Sequence, residues 1–403
     1  MTMRHPPFPV VAFGVLSWFS LLGFSRCAQC DWLMFRHDPA RSGRADGAAP
    51  TLAGIEWSVD LGGPVDASPA VAQGLVLVGT ASGVFHARDA ATGAAKWSAA
   101  IGSALVSSPC VAEGRVFFGC VDGYLYAFDA ATGKEAWRAR TARSIVASPV
   151  PVGDRVLCGS TDGRLYAFSR ADGSYLWRTE QGGEVQAGAA VVNDTVVYAD
   201  WNWRVRCVRL ADGAPVWPQP YLMEGPVVAC PVIEGRYVVV ACLAPTALSP
   251  PAVLNIHCLD LATGQRVWGS PGANPWVTEK ERGPMSVATC PTVIGDALWF
   301  ITGEGYGNWS AMVRCAALTT GARLAAVPHN ALEQGWSVTD SSPAMAGGSL
   351  YFADYAGLLH QLDTTAGRAV RALPLGARTR SSPAVSDGRL YLGLTDGKLL
   401  CVR

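Results

Sequence analysis

Twelve cysteines and six histidines in a chain of 403 residues are the side chains best able to bind metal, form disulfides or act as nucleophiles. Their spacing points to a structural role instead. Cys207, Cys258, Cys315 and Cys401 occupy one recurring position, six residues before a turn glycine or its equivalent, where Ala87, Ala127 and Ala167 stand in other copies. Cys230 and Cys290 replace serine in a recurring small-small-Pro phrase. Columns that accept Ala, Ser or Cys want a small buried side chain. Members of one column sit in different units, so free thiols are expected, too far apart to bridge. The only C-x-x-C pair, Cys27 and Cys30, lies near the N-terminus, and no structural zinc site is expected. His86, His257 and His360 share a column with Tyr126 and Tyr166, which reads as a packing position. No G-x-S-x-G elbow, H-E-x-x-H or P-loop is present, so no catalytic residue and no metal ligand are assigned.

Two other groups could bind a ligand. Trp201, Trp203, Trp276, Trp309, His329 and Trp336 interrupt an otherwise regular pattern, and exposed aromatics in irregular loops favour recognition. They would equally serve to pack those loops down. Just before the small-small-Pro phrase, one column is charged only at Asp66, Asp340 and Arg380. This trio could hold a polar ligand, although a structural ion pair is the favoured reading.

The elements that position these groups come from a repeat. "YLYAFDAATGKEAW" at 124–137 echoes "VFHARDAATGAAKW" forty residues earlier and "RLYAFSRADGSYLW" forty residues later. Eight units align, each with four short apolar runs separated by turns such as "EG", "DG" and "TG". The spacing predicts an all-β fold, an eight-bladed propeller of four-stranded antiparallel blades. The last unit has three strands, and "GIEWSVD" at 54–60 supplies the missing outer one, closing the ring through residues 55–59. The forty-residue period is expected to be broken only between the fifth and seventh units. Every insertion then falls on the face of the "DG" turns and inter-blade links, over blades 4–6. Asp340, Arg380 and Asp66 fall on adjacent blades at the channel mouth.

The phrase A-x-D-x-x-T-G-x-x-x-W, complete at Ala87–Trp97 and Ala127–Trp137 and close at three more places, resembles the docking motif of the pyrroloquinoline-quinone-type propellers. The resemblance covers about residues 31–403 and implies that Trp57, Trp97, Trp137, Trp177, Trp217 and Trp268 dock each blade on the next. Ala325 and Arg371 replace the tryptophan in the sixth and seventh copies. Family members include dehydrogenases that use pyrroloquinoline quinone and calcium. They also include an outer-membrane assembly propeller lipoprotein that works without a cofactor. No two cysteines are adjacent here, unlike the pair many of the dehydrogenases carry, and no active-site or calcium-binding residue transfers.

Composition bounds the rest. Acidic and basic residues balance at 32 each without runs of either sign, which argues against a nucleic-acid partner. Residues 1–28, basic and then apolar from Val10 to Phe24, read as a signal peptide or N-terminal anchor, with a lead-in at 31–53 and the propeller at 54–403. The expectation is an exported, monomeric, non-catalytic binding propeller without a cofactor, whose partner is a protein or a small polar ligand or glycan. The alternative is a dehydrogenase of alcohols or sugars.

Overall fold

Each unit folds as a four-stranded antiparallel sheet because glycine turns cut its apolar runs to strand length. The computed structural model describes residues 31–243, 255–269, 285–287, 289–304, 310–327 and 341–403. Blade 1 comprises Ala70–Ala72, Leu75–Gly79, Val84–Asp89 and Ala95–Ala100, and the other seven repeat this order. Blade 6 adds a further short strand, Met285–Ser286, against Gly303–Glu304. All elements among the described residues are strands. The middle strands of each blade are buried on both faces between neighbouring sheets, while the outer strands alternate at the rim. Closure is as the repeat predicts. Ile55–Asp60 completes blade 8, pairing antiparallel with Lys398–Val402 from Ile55 opposite Val402 to Asp60 opposite Lys398.

The docking tryptophans explain the repeated phrase. Trp97 Nε1 donates to the carbonyl of Ala130 in the next blade at 2.8 Å, and Trp57, Trp137, Trp177, Trp217 and Trp268 make the same contact one blade on each time. Directly opposite every docking Trp except Trp217 stands the small-residue column on the adjacent strand: Ala87 faces Trp97, Cys258 faces Trp268 and Cys401 faces Trp57. A full side chain there would push the indole off its neighbour. The turn glycine is fixed by the same contact as well as by its backbone. Gly133 has φ +72, and a Cβ on it would lie 2.5 Å from the Trp97 ring. Where Ala325 replaces the tryptophan, the corresponding Gly367 faces open space.

The lead-in winds once around the ring axis along the inner strands. Trp32 pairs with Val71 of blade 1, and Leu33 accepts from Val111 of blade 2. Pro39 and Ala40 accept from Val191 and Ile233 of blades 4 and 5, and Gly43 and Ala45 bracket Met345 of blade 7. It leaves across the first turn of blade 7, where a Cβ on Gly347 would meet the Ala49 nitrogen at 2.2 Å. That turn belongs to the short-turn face, so the lead-in shuts this mouth of the channel. The links lie on the opposite face, each resting on the following blade's second turn, as in Ala81 N to Pro64 O and Trp201 N to Glu184 O.

One expectation about the repeat is corrected. The step from the Ala189 position to Pro231 is 42 residues, so blade 4 is also irregular. The extra length surrounds Pro218 and Pro220, which cannot donate to a ladder and reduce the outer strand to Tyr221–Leu222.

Candidate functional site: a loop face and a filled axis

Blade 4 is where the loop face departs from the repeat. Buried Asp200 accepts at Oδ1 from the N–H groups of Asn202 (2.9 Å) and Arg204 (3.3 Å), and its Oδ2 meets Arg206 Nε at 3.4 Å. This clamp holds the turn and leaves Trp201 and Trp203 39% and 43% exposed. Trp203 has φ +66 at a position where Gly83, Gly123 and Gly163 stand in blades 1–3. A Cβ on those glycines would come within 2.4–2.9 Å of the passing link. The longer link of blade 4 makes room, docking through Met223 N to Trp203 O at 2.8 Å. A bulky residue held in left-handed backbone costs on the order of 1 kcal/mol or more, and such strain collects at working surfaces.

Beside this turn a cleft of about 670 Å³ opens between blades 3 and 4, lined by Arg143, Asp162, Arg164, Gly183, Glu184 and Trp201. Asp162 accepts from Arg164 N at 3.0 Å and from the Tyr166 hydroxyl at 2.5 Å. Burial, reinforced by this hydrogen bond, pushes Tyr166 up to about 12, so the phenol remains a donor. In the histidine column His86 is packed as expected, with neither ring nitrogen hydrogen-bonded, while the other two histidines also make polar contacts. His360 Nε2 lies 2.9 Å from Asp354, His257 bridges Tyr221 (2.7 Å) and Glu224 (2.9 Å), and Arg206 fills the column in blade 4. At the channel mouth Asp66 is half-buried and Arg380 exposed. Asp340, Trp276, Trp309, His329 and Trp336 lie outside the described residues.

The axis carries a polar belt. In each small-small-Pro phrase the second residue's N–H donates to the side chain at the same position one blade on. Ser68 donates to Ser108, Ser108 to Ser148, Cys290 to Ser342, Ser342 to Ser382 and Ser382 back to Ser68, at 2.8–3.3 Å. Gly188 N donates to Cys230 Sγ at 3.1 Å and Cys230 N to Cys290 Sγ at 3.0 Å. The belt breaks only where Gly188 has no side chain to receive Ser148 N. There the lead-in intervenes. Arg41, 0% exposed, donates from Nη2 to Ser148 O and from Nε to Ala189 O, both at 2.9 Å. Arg36, 2% exposed, donates to Thr292 Oγ1 at 2.7 Å and to the carbonyls of Pro291 and Pro343. The reason given for free thiols therefore needs correction. All ten described cysteines are free and buried, but at the narrow inner wall neighbours in one column touch.

Residues 53–270 and 254–402 match the family described as outer membrane protein assembly factor BamB. The chain belongs to this family. Among solved structures, BamB from Moraxella catarrhalis is similar with a TM-score of 0.67 and 18% identity, over 86% of this chain and 98% of that one. The computationally designed Ika8 protein gives 0.68 and 17%, over 87% and 99%, and a europium-containing methanol dehydrogenase gives 0.67 and 16%, over 91% and 90%. A search of curated proteins returns no significant match. A designed protein and a dehydrogenase align equally well, so likeness at these identities describes the propeller alone. Within this BamB-family chain, sequence reasoning missed Arg36 and Arg41. The one signal for them was the loss of the small polar side chain at Gly188, which left a vacancy for another group to fill.

Proposed function

We propose that this chain is an exported, non-catalytic scaffold propeller that holds a protein partner of the envelope through the link face of blades 4–6. The observation that carries this reading is the asymmetry of the two faces around blade 4. Trp201 and Trp203 stand exposed beside a polar cleft on one face, while the lead-in fills the other mouth. Exposed indoles on a clamped turn are suited to anchor a partner at low entropic cost. The family's description, outer membrane protein assembly factor, supplies the class of partner.

The dehydrogenase alternative would need converging oxygen ligands for calcium, whereas the two lead-in side chains that reach the inner strands are the buried cations Arg36 and Arg41. Binding of the purified chain to a purified outer-membrane β-barrel assembly protein, followed by calorimetry, tests the proposal. Trp201→Ala with Trp203→Ala should weaken it at least about tenfold. Unchanged affinity would sink the assigned face. Dye-linked alcohol oxidation after adding the quinone and calcium would instead favour the enzyme.

A further inference from the structure

Two of the eight belt positions are cysteines, and they are consecutive. Cys230 of blade 5 and Cys290 of blade 6 are both buried. The main-chain N–H of Cys230 points at the Cys290 sulfur from 3.0 Å. The same spacing recurs around the ring between serines, so it is imposed by the inner wall and not by the sulfurs. A disulfide needs the sulfurs at about 2 Å on closely spaced Cβ atoms, and the Cys290 sulfur already meets the main chain of Cys230, one side-chain rotation from its thiol.

The second observation is the lead-in's Arg36. Its guanidinium bonds the carbonyl of Pro291, the residue after Cys290, while its Nε has no hydrogen-bond partner. Arg36 also donates to Thr292 Oγ1 at 2.7 Å, so the two residues that follow Cys290 both hold the lead-in's guanidinium, and a shift of Cys290 is passed directly to these contacts.

We propose that Cys230 and Cys290 form an oxidisable dithiol whose conversion to a disulfide staples blade 5 to blade 6 and, by displacing Pro291 and Thr292 from Arg36, loosens the lead-in. The oxidant is a small-molecule disulfide. Cys290 thiolate attacks one of its sulfurs, giving a mixed disulfide on Cys290 and one free thiolate. That thiolate takes the Cys230 proton. Cys230 then attacks the Cys290 sulfur and expels the second half of the oxidant. Two protein thiols lose two electrons, and the small disulfide is reduced to two thiols.

The test uses the full chain incubated with oxidised glutathione, then denatured, alkylated and mapped by mass spectrometry. A Cys230–Cys290-linked peptide should accumulate while the other cysteines remain alkylated as free thiols. In parallel, brief trypsin treatment of the native protein reads the lead-in through cleavage after Arg36, which should rise at least about fivefold on oxidation. Cys290→Ser places the belt's usual residue at that position and is expected to fold. It should give no linked peptide and no oxidant-dependent cleavage, and Cys230→Ser should behave alike. Absence of the linked peptide overturns the dithiol. A linked peptide with unchanged cleavage, or oxidant-dependent cleavage in Cys290→Ser, overturns the link to Arg36.

Discussion

The guanidinium of Arg41 occupies the place of the missing side chain at Gly188. A Cβ on that glycine would lie 2.7 Å from Arg41 Nη2, which bonds instead to the Ser148 carbonyl at 2.9 Å. One gap in the serine belt of blade 4 is therefore filled by a residue about 150 positions earlier in the chain.

Gly188→Ser restores the column's usual residue and should nevertheless destabilise the protein, by about 1–3 kcal/mol, because the site is already full. Adding Arg41→Ala should recover part of that loss. Denaturant melts of the two single variants and the double variant measure the coupling, and strictly additive effects would show that the contact is unimportant.

Gly173 and Gly367 separate backbone strain from packing. Both have positive φ, +73 and +61, but a Cβ at Gly173 would meet the Trp137 ring at 2.6 Å whereas Gly367 faces open space. Alanine should cost clearly more at Gly173, and truncating Trp177 to Ala should cost about 3–5 kcal/mol. Equal melting shifts for the two glycine variants would remove the docking explanation.

Deleting residues 54–60 should leave the Lys398–Val402 strand as an open edge. Light scattering should then report aggregation well below the melting temperature of the full chain. A deletion variant that stays monodisperse with an unchanged melt contradicts the closure.

His86 makes acid stability testable. Burial, with help from Arg88, lowers its pKa from 6.5 to about 4. Between those values the unfolded chain binds the proton and the folded one does not. The contribution from neutral His86 is therefore complete above pH 6.5 and is lost as pH falls toward 4. His86→Tyr, the residue found at Tyr126 and Tyr166, should flatten the melting-temperature profile across that window. A profile that keeps its slope assigns the acid sensitivity elsewhere.

The regular parts of the ring were legible because each residue type answers to one local demand. Glycine marks a turn, tryptophan a dock, and Ala or Cys the space opposite the indole. Strand pairing and closure follow from that periodicity with no need of long-range information. The axis was not legible. Arg36 and Arg41 belong to a stretch with no repeat, and their partners are mostly main-chain carbonyls, which leave no trace in side-chain identity. The contact between Cys230 and Cys290 was hidden for a geometric reason. Columns that diverge at the rim converge at the hub, and sequence spacing is the same in both.

The winding lead-in also sets an order of events in time. A chain emerging N-terminus first presents Arg41 before blades 3 and 4, and Arg36 long before blades 6 and 7, exist to receive them. Ile55–Asp60 waits for Lys398–Val402, its partner at the far end of the chain. Such late, distant pairings make closure slow relative to the local hairpins, so an incomplete ring persists with one raw edge and an unfilled hub. During that interval the Cys230 and Cys290 sulfurs are open to solvent, and the hub is accessible to chaperones and oxidants alike.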